Sequence, residues 1–113
     1  MVARVLYTST PEFGVPTLRL LAQDRRFELV GVVTQPDKPA GRGLKLTPPP
    51  VKLAALDLGV PALQPPSLRT PGAQAAIRAL EPDVGAMVAY GQWMPAEVFD
   101  LPPKRTLNLH PRI

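Results

Sequence analysis

Leu29-Val30-Gly31-Val32-Val33 holds no polar side chain, and it is followed at once by the polar Thr34-Gln35-Pro36-Asp37. A nearly continuous β-branched run of this kind suits a strand covered on both faces, as in a parallel sheet flanked by helices. Upstream, Val15, Leu18, Leu21 and Ala22 recur at helical spacing. The spacing predicts a helix that starts near Phe13, after the start signal Thr10-Pro11, and ends near Asp24-Arg25-Arg26. Before it, Val5 to Tyr7 is a short β-prone run and reads as a first buried strand.

Downstream, Gln35 to Pro50 is polar and rich in Pro and Gly, with Lys38, Arg42 and Lys45 spaced along it. It reads as a loop, longer than most connections, and long ordered loops are often functional. Val51, Ala54, Ala55 and Leu58 then mark an amphipathic helix with Gly59 as its cap. Val60 to Gln64 is a short edge strand. Ala73, Ala76, Ile77 and Leu80 mark the next helix. Val84 to Ala89 is the most apolar run and reads as a central strand. Met94 to Phe99 forms a short helix started by Pro95, and Thr106 to Leu109 a last strand with His110 at its carboxyl end. The order β-α-β-α-β-α-β-α-β predicts an α/β fold: a Rossmann-like parallel sheet with helices on both faces. Ligands in such sheets bind beyond the carboxyl ends of the strands. The loops at Thr8–Phe13, Thr34–Pro50 and Tyr90–Pro95, and the chain from His110 onward, collect there.

The 113 residues suffice for one small domain. No run approaches the roughly 18 consecutive apolar residues of a membrane span. Arg4 followed by a short apolar run and then Pro11 does not make a signal peptide. A cytoplasmic protein with no membrane partner is therefore expected. Cysteine is absent, which removes disulfides and thiolate metal sites. A net charge of +4 and a pI near 10.0 favour anionic partners such as RNA. Sixteen prolines, with Pro48-Pro49-Pro50 consecutive, suggest rigid connections between regular elements.

Thr8-Ser9-Thr10-Pro11-Glu12-Phe13 replaces the GxGxxG that a dinucleotide fold carries after its first strand. Gly41-Arg42-Gly43 is not followed by GK[ST], so it is no P-loop. Asn108-Leu109-His110 puts two polar side chains on one side of a strand. There an imidazole serves as acid, base or electrophile, and an amide donates to a developing oxyanion. The bland alternative is a polar strand end. Lys38, Arg42 and Lys45 are either a solvated connection or a phosphate-binding surface, an arginine between two glycines being free to approach a backbone closely. The segment around Trp93 either packs in the core or walls a pocket for a flat heterocycle.

Taken together, several segments resemble the start of methionyl-tRNA formyltransferases. Thr10-Pro11-Glu12-Phe13 is similar to that family's turn after strand one. Thr34-Gln35-Pro36-Asp37-Lys38-Pro39-Ala40-Gly41-Arg42-Gly43 resembles its basic loop almost residue for residue. Gln64-Pro65-Pro66-Ser67-Leu68-Arg69, Ala89-Tyr90-Gly91-Gln92 and Asn108-Leu109-His110-Pro111 complete the match. The resemblance implies formyl transfer from 10-formyltetrahydrofolate to the α-amine of initiator methionyl-tRNA, with no metal and a monomeric full-length parent.

By the same resemblance, Asn108 and His110 polarise the formyl carbonyl and stabilise the tetrahedral intermediate. Ala89, Tyr90, Gly91, Gln92, Trp93, Met94 and Pro95 line the folate pocket, largely through backbone groups. Lys38, Arg42 and Lys45 contact tRNA, and Thr10, Pro11 and Phe13 meet the methionyl acceptor end. Residues 1–113 are then a partial N-terminal formyltransferase domain. The family's catalytic Asp and C-terminal tRNA-binding domain would be absent, so this chain alone is expected to lack turnover. The readings kept beside this one are a folded non-catalytic binding module and a formyltransferase for a small-molecule amine.

Overall fold

A computed structural model describes residues 2–92 and 94–108. Along the chain run β1 (Ala3–Ser9), a 3-10 turn (Glu12–Gly14), α1 (Val15–Gln23), β2 (Phe27–Val33), β3 (Lys38–Ala40), β4 (Lys45–Thr47), α2 (Pro50–Asp57), β5 (Ala62–Leu63), α3 (Pro71–Ala79), β6 (Val84–Val88), α4 (Ala96–Phe99) and β7 (Thr106–Asn108). Five strands form one sheet in the order β5-β2-β1-β6-β7, and every pair in it is parallel. The Rossmann-like expectation holds.

Alternation along the strands explains the layering. Leu6, Val33 and Met87 join one apolar cluster with Leu68, Ile77 of α3 and Val98 of α4. Their sequence neighbours Tyr7, Val32 and Val88 join a second cluster with Leu18 of α1 and Val51, Ala54 and Ala55 of α2. Adjacent strand residues point to opposite faces, so α1 and α2 cover one face and α3 and α4 the other. Tyr7, Leu18, Val32, Val51 and Ile77 are fully buried, and each side chain of this size contributes about 1.5–3 kcal/mol.

Local chemistry sets the helix ends. Thr70 caps α3 by accepting from the Ala73 amide at 3.2 Å, with Pro71 in the first turn. Gly59, at φ +72°, closes α2: its amide bonds the Leu56 carbonyl at 3.1 Å, and the Val60 amide bonds the Ala55 carbonyl at 2.9 Å.

Three sequence expectations are corrected. Residues 38–47, expected as irregular loop, form an antiparallel hairpin of β3 and β4, with Lys38 opposite Thr47 and Ala40 opposite Lys45. Gly41 and Gly43 take φ of +71° and +80° at its turn, so the glycines read as loop punctuation are hairpin geometry. β6 lies inside the sheet between β1 and β7, as the apolar run from Val84 indicated, and β1 stands in the middle because the chain builds outward on one side of it before crossing to the other. The first helix is preceded by the 3-10 turn and begins at Val15. The short helix begins at Ala96, with Pro95 extended at its N-cap. Of the last strand, Thr106 to Asn108 is described and Leu109 lies outside the described residues.

Candidate active site at the carboxyl edge

From β1 the chain proceeds to β2 and β5 on one side, then crosses to β6 and β7 on the other. The loops leaving β1 and β6 therefore diverge, and such a switch point opens a crevice at the carboxyl edge. Ser9 pairs with Val88, which brings Thr10 and Ala89 to that edge side by side.

The crevice is braced by hydrogen bonds that converge on one carbonyl. Tyr90 O accepts from Thr10 Oγ1 at 2.7 Å and from Gln35 Nε2 at 2.9 Å. Both lone pairs are thereby used, which fixes the peptide after Tyr90. The Tyr90 ring is 3% exposed and packs in the α3/α4 cluster. Its hydroxyl has no hydrogen-bond partner among the described residues, and burial pushes its pKa up to about 12. Ala89 is exposed and holds φ +49°, and Gly91 holds φ +88°. A side chain at Gly91 would run into Gln35 Nε2.

Gln35 also connects to the hairpin. Its carbonyl accepts from Gln64 Nε2 at 3.1 Å, and the same amide donates to Asp37 Oδ1 at 2.6 Å. Lys52 Nζ approaches Asp37 Oδ1 at 3.2 Å from α2. The Gln64 hydrogen bond, with Lys52 adding to it, holds the Asp37 carboxyl below the usual carboxylate range. Asp37 immediately precedes β3, so this cluster clamps the foot of the hairpin. Lys38, Arg42 and Lys45 are exposed, with Arg42 in the turn beyond the paired residues. Beside the foot lies a cleft of about 200 Å³, walled by Thr10, Gln35 and Pro36 on one side and Thr47 to Pro50 on the other, with Lys38 at its rim. Thr10 lines it; Pro11 and Phe13 do not.

Asn108 is exposed at the end of β7, level with Met87. Buried Thr106 seats that strand against Gly85, where a Cβ would come within 2.5 Å of Thr106 Oγ1. Met94 is half-buried against the α3/α4 cluster, and Pro95 lines a hollow of about 530 Å³ with Arg69, Gln74, Ala96 and Glu97. Trp93 and His110, both singled out by the sequence, lie outside the described residues.

Residues 3–113 match the family model described as "Formyl transferase". The chain belongs to the formyl transferase family. It is 48% identical over its whole length to a methionyl-tRNA formyltransferase of Roseiflexus sp. strain RS-1, covering 35% of that protein. It is 52% identical over 97% of its length to the one of Herpetosiphon aurantiacus, covering 36% of it. The chain thus spans about a third of the length of these curated relatives.

Two solved structures share the formyl transferase fold. A glycinamide ribonucleotide transformylase from Geobacillus kaustophilus superposes with a TM-score of 0.67 at 14% identity, over 100% of this chain and 60% of that one. A phosphoribosylglycinamide formyltransferase from Brucella melitensis superposes with a TM-score of 0.68 at 18% identity, over 100% and 59%.

Within this candidate site, residue-by-residue reading of the sequence missed Gln35, Asp37, Lys52 and Gln64 as a connected group. Their contacts span separations of 15 to 29 residues, which no local period reveals. The available signal was a polar residue directly after each apolar strand: Thr10, Thr34-Gln35 and Gln64.

Proposed function

We propose that this chain is the donor-binding part of a methionyl-tRNA formyltransferase, which moves a formyl group from 10-formyltetrahydrofolate to the α-amine of methionine on initiator tRNA. One observation carries the reading beyond the family. A braced hairpin presents Lys38, Arg42 and Lys45 at the carboxyl edge of the sheet, beside the crevice between β1 and β6. A cationic, protruding hairpin suits a phosphate backbone and has no evident use for a small amine. The name shared by relatives about half identical in sequence supports the same acceptor.

The donor is a substrate, and the edge suits a flat ring system. Ala89 and Gly91 carry little or no side chain, and their backbone is held in place through the carbonyl of Tyr90. The family resemblance assigns Gln92, Trp93, Met94 and Pro95 to the donor as well, although Met94 packs against the α3/α4 cluster and Pro95 lines the hollow beside Arg69. In the transfer, the uncharged amine of methionine attacks the formyl carbon and forms the new C–N bond. The bond from that carbon to the donor nitrogen breaks, the amine loses a proton and the donor nitrogen gains one. Negative charge builds on the formyl oxygen meanwhile. Asn108 supplies an amide donor for that oxygen, and His110, outside the described residues, is assigned the role of a proton-bearing partner. Arg42, with Lys38 and Lys45, holds the acceptor stem, while Thr10, Pro11 and Phe13 face the methionyl end. The reading further implies a cytoplasmic, monomeric enzyme without a metal.

Replacing Asn108 with Ala in the full-length protein should lower formyl transfer by at least about 100-fold, the scale for losing an oxyanion donor. A single-turnover rate within a few-fold of the unsubstituted protein would remove Asn108 from the chemistry.

A further inference from the structure

Two glutamine side chains link three separate parts of the edge, beside the Thr10 hydroxyl and the Lys52 ammonium. Gln64 follows β5 and spends both amide hydrogens on the foot of the hairpin, one on Gln35 O at 3.1 Å and one on Asp37 Oδ1 at 2.6 Å. Gln35 follows β2 and spends its amide on Tyr90 O at 2.9 Å, while its backbone amide reaches Thr10 Oγ1 at 3.3 Å. Gln35 is 8% exposed. Gly91 independently marks the same contact: any Cβ there would occupy the space of the Gln35 amide.

We propose that Gln64 and Gln35 are positioning residues that divide the work of substrate binding. Gln64 holds the basic hairpin in its tRNA-engaging pose, and Gln35 holds the Ala89–Gln92 wall for the donor. This rests on the chain's reading as a methionyl-tRNA formyltransferase. Neither glutamine need touch a substrate. Each fixes an element that does, and each bond lost takes one partner from an acceptor at the foot or the wall. Because Gln64 acts through the hairpin, its effect runs through Arg42. Because Gln35 acts through Tyr90 O, its effect falls on the donor.

The test is steady-state kinetics of the full-length protein with methionyl initiator tRNA and 10-formyltetrahydrofolate, each varied at saturating levels of the other. Gln64→Met removes both donors at similar length. Gln64→Glu keeps the shape but turns a donor toward the Asp37 carboxylate into an acceptor. Whichever of the two folds should raise KM for tRNA about tenfold or more, with KM for the donor moving less than about twofold. Gln35→Met should show the opposite split. In an Arg42→Ala background the Gln64 variant should add little, since residues acting through one element are not additive.

Equal rises in both constants, or a full multiplicative effect on top of Arg42→Ala, would mean general structural damage and overturn the proposal. Unmoved constants in folded variants would overturn it as well. No transfer by the unsubstituted protein would instead overturn the functional reading beneath it, so the two failures are told apart.

Discussion

Tyr90 divides its chemistry between two environments. Its carbonyl takes two hydrogen bonds at the candidate site, while its hydroxyl lies in the apolar cluster without a partner among the described residues. A buried hydroxyl left unpaired costs about 1–3 kcal/mol, and the ring around it repays that by filling the core. Burial pushes the phenol up to about 12, so the folded protein keeps a proton that the unfolded chain gives up above about 10. The stability tied to that proton is complete below pH about 10 and is lost as pH rises toward 12. Tyr90→Phe keeps the carbonyl and the ring. It should raise stability by about 1 kcal/mol at neutral pH and flatten the decline between pH 10 and 12. Urea denaturation across that range checks it, and a loss of stability at neutral pH would show that the hydroxyl has a partner.

At the scale of elements, the β3–β4 hairpin separates what was legible in the sequence from what was not. The sheet strands and helices could be read because their apolar residues repeat with the period of the element that buries them: Val51, Ala54 and Ala55 on α2, or Val32-Val33 in β2. Lys38 and Pro39 on one arm and Lys45, Leu46 and Thr47 on the other are exposed, so the hairpin carries no such period. Pro39 also stands in the middle of β3, a position open to proline only because the ribbon is two-stranded and its outer side is free. Charge and glycine spacing left the segment open as a solvated connection or a phosphate-binding surface, and gave no sign of a braced arm. Its foot is fixed by Gln64 and Lys52, which the fold brings in from distant parts of the chain.

The arm should therefore act as a unit. Arg42→Ala removes a charge at its tip, exposed and far from the foot, and should raise KM for methionyl-tRNA about tenfold, with donor binding held within about twofold. A parallel loss of donor affinity, read by equilibrium titration with 10-formyltetrahydrofolate, would contradict a contact made to tRNA alone.

Across the whole molecule, the strand order makes the site. Crossing from one side of β1 to the other opens the crevice, and helices on both faces leave the carboxyl edge as the exposed working surface. Asn108 reaches that edge only if β7 packs closely on β6, and Gly85 allows this by leaving room for buried Thr106. Gly85→Ala should cost about 1–3 kcal/mol by overpacking. A further Thr106→Ala change should recover part of the loss, and thermal unfolding of the two variants checks both steps. The sequence signalled the alternation that builds this layout, and the family motifs signalled the edge residues. The seat of β7 on Gly85 depends on which strands become neighbours, so it became visible only with the sheet order.

The central claim is that the braced cationic edge serves a tRNA-borne amine. The most direct measurement supplies the full-length protein with 10-formyltetrahydrofolate labelled in the formyl group and offers initiator methionyl-tRNA and glycinamide ribonucleotide in competition. Label should appear on the methionyl-tRNA almost alone, and Arg42→Ala should lose that preference. Label appearing mainly on the small amine, or a preference that survives Arg42→Ala intact, would contradict it.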